Sequence, residues 1–328
     1  MPFVTLSNGR TFEADSSVSI LDAARMDGVI IEYSCRTGRC GICKAHVEAG
    51  ETAVLKPESS LSETERANGT ILTCCRAAAG DVELDIEPLD RLAGFEIKTM
   101  PARISAIERL APEIVRVTLR TPPASPMRFV PGQYIDVIVG GARRSYSLAN
   151  APRADNRLEL LIKRYPGGEL SGYWFERAVE NDLVRIEGPF GTFFLRDEAP
   201  REILFLATGT GIAPVKALLE ELAADPECAR RHRLRVFWGN REAENFFWDP
   251  VSMGLDIDFH HLLSGPDAAW VGRRGHVQKA ALEDGFDPAD TAVYACGSDA
   301  MIASARELLV AQGLPARRFF SDAFVLSS

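Results

Sequence analysis

Cys35-Arg36-Thr37-Gly38-Arg39-Cys40-Gly41-Ile42-Cys43 sets three thiols within nine residues, and Cys74 and Cys75 follow in Ile71-Leu72-Thr73-Cys74-Cys75. Three sulfurs that converge from one loop demand a tight backbone. Gly38 and Gly41 permit turn angles that residues with a Cβ resist, and leave amides free to point at sulfur. A fourth thiol can be remote, because it needs only to fold over the loop. Cys74 and Cys75 are adjacent, so spacing alone leaves the choice between them open. The stretch defines a small domain at residues 1–93, built around a thiolate-held centre.

The spacing C-x4-C-x2-C…C is that of plant-type [2Fe–2S] centres. Zinc is the rival, but zinc sites are usually built from two short Cys/His pairs. Downstream of Cys43 there is no C-x2-C or H-x3-H pair, and the five histidines show no ligand spacing. Such a cluster carries one electron at a time, so the rest of the chain is expected to supply a source of electrons.

Around the cysteines the text reads as short strands, Phe3–Leu6, Thr11–Ala14, Ala45–Val47, Ile71–Leu72 and Val82–Ile86, with one helix capped by Ser19 and ended at Gly28. This is a mixed sheet crossed by a helix. Residues 88–101 contain Pro and Gly and read as a linker. From residue 98 to 197, short strands (Arg103–Leu110, Ile114–Leu119, Gln133–Val139, Ser145–Leu148, Leu158–Lys163, Leu183–Glu187) predict an antiparallel barrel, interrupted by a helix over Leu170–Arg177. From 200 to 328 the rhythm becomes strand, helix, strand. That pattern predicts a parallel α/β sheet, which binds nucleotides at the carboxyl ends of its strands.

Bulk properties set limits. The chain has 328 residues, seven cysteines and a net charge of −9, which excludes nucleic acid as the expected partner. Residues 1–97 hold sixteen acidic and nine basic side chains, so most of the negative charge is there. The cluster loop nevertheless carries Arg36, Arg39, Lys44 and Arg76. That rim would steer a partner protein, face a neighbouring domain or simply be solvated. No apolar run approaches the about 20 residues of a membrane span, and the N-terminus lacks a secretory pattern. Free thiols in ligand spacing suit a reducing cytoplasm.

Three further motifs fall at element junctions. Thr208-Gly209-Thr210-Gly211-Ile212-Ala213-Pro214 joins a strand to a helix, where glycines and free N–H groups suit a pyrophosphate and Pro214 suits the first turn. Arg144 and Tyr146 of Arg144-Ser145-Tyr146-Ser147 share one strand face. Gly167-Gly168-Glu169-Leu170-Ser171 opens the barrel's helix as a second anion site, with Ser171 read as its cap. Each alone is weak, the alternatives being a plain turn, an exposed strand and a simple cap. Cys296-Gly297 ends a strand, as a ligand contact or as a buried small hydrophobe. Cys228 has no context.

In this order the motifs, with Gly188-Pro189-Phe190-Gly191, Trp238-Gly239-Asn240-Arg241 and Tyr294-Ala295-Cys296-Gly297, resemble the iron–sulfur flavoprotein reductases of the ferredoxin–NADP reductase superfamily. The resemblance covers essentially the whole chain. Ile71–Cys75, Arg143–Pro152 and Phe319–Phe324 look most like CDP-6-deoxy-3,4-glucoseen reductases, with oxygenase reductases close behind. The resemblance implies a multidomain α+β and α/β fold: a β-grasp ferredoxin domain, an FAD-binding β-barrel and an NAD(P)-binding parallel sheet. It selects Cys74 as fourth ligand beside Cys35, Cys40 and Cys43. It places Arg144 on flavin pyrophosphate, Tyr146 and Phe324 at the flavin ring, Ser147 near its reactive nitrogen, and Gly168 and Ser171 on FAD phosphates. Gly209, Thr210, Gly211 and Pro214 would hold the nicotinamide cofactor's pyrophosphate, and Cys296 and Gly297 would flank the nicotinamide, with Ser147 and Cys296 as the catalytic pair. Because the chain runs four residues past Phe324, the stacking role there departs from the family pattern.

The implied activity is an oxidoreductase in electron transport, passing electrons from NADH through FAD and the cluster to a protein acceptor. That acceptor would be an oxygenase component or a pyridoxamine-type sugar dehydratase. NADH is expected over NADPH, because Glu242 and Glu244 follow the second strand of the sheet, although Arg241 beside them argues the other way. The alternatives are a stand-alone flavin reductase and an iron–sulfur redox sensor without turnover.

Overall fold

The computed structural model describes residues 1–196 and 200–323. The chain divides into two compact units, Met1–Phe95 and a second that begins at Glu96.

In the first unit, β1 (Phe3–Leu6) pairs antiparallel with β2 (Thr11–Glu13), and α1 (Ile20–Met26) follows. Ser19 caps α1 by accepting from the Asp22 amide at 3.1 Å, and Gly28 leaves the helix at φ +73°. The cysteine loop leads to β3 (Lys44–Ala49), β4 (Thr52–Val54), α2 (Glu63–Ala67), β5 (Thr70–Leu72), β6 (Arg76–Ala78) and β7 (Val82–Leu84). The main sheet runs β2-β1-β7-β3-β5, with β1 and β7 parallel, and β4 pairs with β6 beside it. Helix α1 buries Ile20, Leu21, Ala23 and Ala24 in a core that also holds Cys43, Cys74 and Cys75. This is the mixed β-grasp sheet expected. The pattern missed β4, β6 and α2, none longer than five residues and too short to show a period.

In the second unit, β8 (Lys98–Ala111), β9 (Ile114–Arg120), β10 (Tyr134–Val139), β11 (Ala142–Ser147), β12 (Arg157–Lys163) and β13 (Leu183–Phe190) form the sheet β11-β10-β13-β8-β9-β12. An antiparallel bridge from Leu148 to Leu160 brings the β11 end back to β12, so the sheet closes on itself. Strand β8 starts inside the stretch read as linker. Met100, Ala102 and Ile104 face inward at alternate positions, a period that Pro101 disguised. Helix α3 (Glu169–Glu176) plugs the barrel with Leu170, Tyr173 and Trp174.

The chain continues as β14 (Glu202–Thr208), α4 (Ile212–Ala224), α5 (Pro226–Ala229), β15 (Arg233–Asn240), β16 (Ile257–Leu263), β17 (Arg273–Arg274), α6 (Val277–Glu283), β18 (Thr291–Gly297), α7 (Asp299–Ala311) and β19 (Phe319–Ala323). Every pairing in the order β17-β16-β15-β14-β18-β19 is parallel. One apolar cluster lies with α4 and another with α6 and α7, so the strands read as continuous hydrophobic runs. Among the described residues no helix is long and apolar enough to cross a membrane.

Candidate cofactor sites

The four cysteines expected to bind the cluster lie as two pairs. Amides of Thr37 and Cys40 both point at Cys35 Sγ from 3.4 Å, and Cys43 Sγ lies 3.2 Å from Cys74 Sγ. Cys40 donates its S–H to Cys35, which draws the Cys35 thiol down to about 4 and holds Cys40 up. Cys43 does the same for Cys74, which falls to about 7 while Cys43 rises. Among the described residues no three donors are grouped to hold one metal ion. Two thiol pairs instead suit two irons, one pair each, and ligation must displace the shared protons.

The loop backbone fits this purpose. Arg36, Gly38 and Gly41 all have positive φ, at 57°, 77° and 71°. A Cβ on Gly38 would sit 2.4 Å from the Pro57 carbonyl and 2.8 Å from Cys75 Sγ, so only glycine fits there. The basic rim is smaller than the sequence implied. Lys44 is paired with Glu65, and Arg76 forks onto the buried carboxylate of Glu58 at 2.9 Å. Two of the four rim cations are therefore neutralised within their own unit, and Arg39 is the exposed one.

In the barrel, Arg144 projects from β11 into solvent, its Nη1 donating to the Arg143 carbonyl. Tyr146, two residues on, reaches α3, its hydroxyl accepting from Trp174 Nε1 at 3.2 Å with the rings edge-on. Burial pushes the Tyr146 phenol up to about 12. The N-terminus of α3 opens on a cavity of about 350 Å³ whose lining includes Arg164, Tyr165, Gly167, Gly168 and Arg177. Gly168 is the true N-cap. Ser171, expected as the cap, is instead the helix's third residue. Its hydroxyl folds back to Tyr165 and to the Gly168 carbonyl at 3.0 Å, and a Cβ on Gly168 would lie 2.5 Å from it. Arg164, Tyr165 and Arg177 went unnoticed in the sequence because their positions have meaning only once the turn before α3 is formed.

At the carboxyl edge of the parallel sheet, the Gly209–Gly211 turn and Cys296-Gly297 lie together. A Cβ on Gly211 would be 2.3 Å from the Cys296 carbonyl, and one on Gly297 would be 2.1 Å from Thr208 Oγ1. Thr210 and Gly211 lead directly into α4, with Pro214 in its first turn. Cys296 itself is fully buried in the apolar cluster. Glu242, exposed beyond β15, accepts from Asn245 Nδ2 at 2.9 Å, while Arg241 and Glu244 are exposed. Asp322 of β19 is opposite Cys296 in register, and its carboxylate accepts from Ser147 Oγ at 3.3 Å. Sequence reasoning missed Asp322; Phe324, expected at the flavin ring, lies outside the described residues. The fold thus unites the Ser147 end of the barrel with the nucleotide edge of the sheet, which is where an isoalloxazine and a nicotinamide would have to meet.

Comparison with known proteins agrees with this division of labour. Residues 4–79 match the 2Fe-2S iron-sulfur cluster binding domain, residues 101–195 the oxidoreductase FAD-binding domain and residues 205–307 the oxidoreductase NAD-binding domain. The chain is 41% identical to the CDP-6-deoxy-L-threo-D-glycero-4-hexulose-3-dehydrase reductase of Yersinia pestis, over 98% of this chain and 97% of that protein. It is 27% identical to the toluate 1,2-dioxygenase electron transfer component of Pseudomonas putida, over 97% and 96%. Among solved structures, the Amycolatopsis cytochrome P450 reductase aligns over the full length of both chains with a TM-score of 0.76 and 29% identity. The chain belongs to the iron–sulfur flavoprotein reductases: it is an NAD(P)H-dependent electron-transfer oxidoreductase with a [2Fe–2S] domain, an FAD-binding barrel and an NAD-binding sheet in that order.

Proposed function

We propose that this reductase oxidises NADH and delivers single electrons to a sugar dehydrase that acts on a nucleotide-linked deoxyhexulose. The observation that carries this reading is the 41% identity to the Yersinia pestis reductase, which spans all three domains. An oxygenase component is the second reading, favoured by the 27% identity to the Pseudomonas putida protein. The three domains are taken as residues 1–93, 98–197 and 200–328, and the site of action as the cytoplasm.

The chemistry supplied by the bound groups is conversion of a two-electron hydride donor into one-electron output. The chain supplies position and charge. Cys35, Cys40, Cys43 and Cys74 are the cluster ligands. Arg144 offers a free cation to the flavin pyrophosphate. Tyr146, tethered by Trp174, offers a fixed ring face. Gly168 exposes helix N-terminal amides, and Ser171 maintains the turn that aims them. Gly209, Thr210 and Gly211 open α4 toward a second pyrophosphate, and Pro214 sits where its missing N–H costs nothing. Ser147, aligned by Asp322, presents its oxygen to the reacting ring, and the Cys296-Gly297 backbone bounds the nicotinamide slot. Glu242, steadied by Asn245, favours a free ribose 2′-hydroxyl over a 2′-phosphate.

The test is anaerobic. NADH added to purified holoprotein should bleach flavin and cluster bands, and kcat/KM should favour NADH over NADPH. A protein captured from native lysate should carry a pyridoxamine cofactor; an iron-containing partner would instead select the oxygenase reading. Brown colour without NADH-dependent bleaching would discard both.

A further inference from the structure

The first unit buries a fifth thiol that the cluster does not use. Cys75 is fully buried, and its Sγ lies 3.5 Å from Cys74 Sγ and 3.6 Å from the Pro57 carbonyl. Its backbone is held on both sides. The Cys75 amide donates to the Leu72 carbonyl at 2.8 Å, and its own carbonyl accepts from Leu55 at 2.8 Å and Lys56 at 3.2 Å. Gly38 leaves the space that its Sγ fills, since a Cβ there would be 2.8 Å away. The side chain is therefore fixed against a ligand sulfur by the same glycine that shapes the ligand loop.

We infer that Cys75 donates its S–H to the Cys74 thiolate and so raises the reduction potential of the cluster. This rests on Cys74, rather than Cys75, being the fourth ligand. Once Cys74 has lost its proton to ligation, Cys75 is the member of the pair that still has one to give. Its other acceptor, the Pro57 carbonyl, is neutral and slightly farther, and an anionic sulfur is the stronger acceptor. A hydrogen bond to a ligand sulfur withdraws charge from it, which favours the reduced, more negative centre. The bond adds to the amides already directed at Cys35, so the two ends of the ligand set are both supported by donors. Cys75 is thus a positioning residue that sets how readily the electron stays on the cluster.

The experiment compares holoprotein of wild type, Cys75→Ala and Cys75→Ser by iron analysis, EPR and potentiometry. Cys75→Ala is expected to keep two irons and a reduced-state EPR signal. Its ratio of reduced to oxidised cluster at a fixed poise should fall about threefold to tenfold, the scale of one ordinary hydrogen bond, as suits a weak S–H donor. Cys75→Ser, which keeps a donor, should recover part of that loss. An unchanged ratio in loaded Cys75→Ala overturns the inference. If Cys75→Ala does not load, Cys75→Val is read the same way. Cluster loss from both while Cys75→Ser loads, or from all three, assigns the thiol to assembly and also overturns it. Iron content reports separately on the ligand set: Cys74→Ser should lose iron, and if Cys75→Ser loses it instead the ligand assignment fails.

Discussion

Ser147 Oγ donates to the carboxylate of Asp322 across 3.3 Å, joining strand β11 of the barrel to strand β19 of the parallel sheet over 175 positions of sequence. A serine hydroxyl has one proton to give. With Asp322 accepting it, the hydroxyl rotor is fixed and the oxygen's two lone pairs are left to accept from an N–H donor. The two residues therefore act as one unit.

Ser147→Ala and Asp322→Ala should each slow anaerobic flavin bleaching by NADH about tenfold, the equivalent of one hydrogen bond to a charged group. The double variant should be little worse than either single one, because both remove the same interaction. Stopped-flow absorbance in the flavin band reads the rates. Multiplicative losses in the double variant would show that the two side chains work independently.

Cys296 is fully buried, and burial followed by the nearby Asp322 charge raises its thiol well above the ordinary range. A raised thiol stays protonated below its own pKa, so at about pH 8.5, where a free cysteine is half ionised, Cys296 remains neutral. Iodoacetamide at that pH should leave the native Cys296 peptide unmodified in mass spectra and label it fully after denaturation. Labelling of the native protein within minutes would contradict the burial argument.

The cysteine loop, the barrel strands and the glycine turns were legible because each is a local pattern with a local physical cause. Alternation marks a half-buried strand, glycine marks a positive φ, and ligand spacing reflects the size of a cluster. Asp322 was not legible, since its partner is on a strand of another sheet. Glu58 was equally silent: a buried acid explains itself only once Arg76 is seen to fork onto it. Ser171 was misread for a different reason. Gly-Gly-x-x-Ser fits both a capping serine and one that folds back on the preceding turn, and the choice depends on Tyr165. Helix α6 has seven residues and no side-chain cap from His276, so nothing in its text announces a start.

A buried charge cluster ties α4 to the barrel. Lys216 Nζ reaches the Ala149 carbonyl at 2.9 Å, Glu159 at 3.1 Å and Glu220 at 2.6 Å, and Arg153 bridges both acids. Burial opposes ionisation of Glu159, but Lys216 and then Arg153 more than offset it and its pKa is lowered. A depressed carboxylate stabilises the fold above its unfolded pKa of about 4.3, and that contribution is lost as pH falls through the lower folded value. Stability should thus drop on acidification below about pH 4.3, with a smaller drop in Glu159→Gln. Lys216→Met, which leaves two acids facing Arg153 alone, should cost about 3 kcal/mol at neutral pH. All four tryptophans (174, 238, 248 and 270) lie in the second unit, so denaturation followed by their fluorescence isolates it. A cost for Lys216→Met within about 0.5 kcal/mol, the range of ordinary surface changes, would remove the cluster from the stability account.

Arg76 and Arg39 separate structure from steering. The Glu58 carboxylate accepts from the Leu72 amide at 2.8 Å and from Arg76 Nη2 at 2.9 Å, so it holds both ends of the segment that contains Cys74 and Cys75. Arg76→Ala leaves a buried carboxylate without its cation, a loss of about 3 kcal/mol, and should loosen Cys74 with it. Iron release to a chelator is therefore expected to quicken in Arg76→Ala and in Glu58→Gln. Arg39 is exposed on the ligand loop, and Arg39→Glu should leave iron release unchanged. If the loop meets an acidic acceptor, the same variant should lower the rate of electron transfer to that protein and flatten its dependence on salt, because screening acts on exposed charges. Equal iron release from Arg76→Ala and wild type would show that the ion pair does not anchor the ligand segment, and an unaltered salt dependence in Arg39→Glu would take the loop's charge out of partner steering.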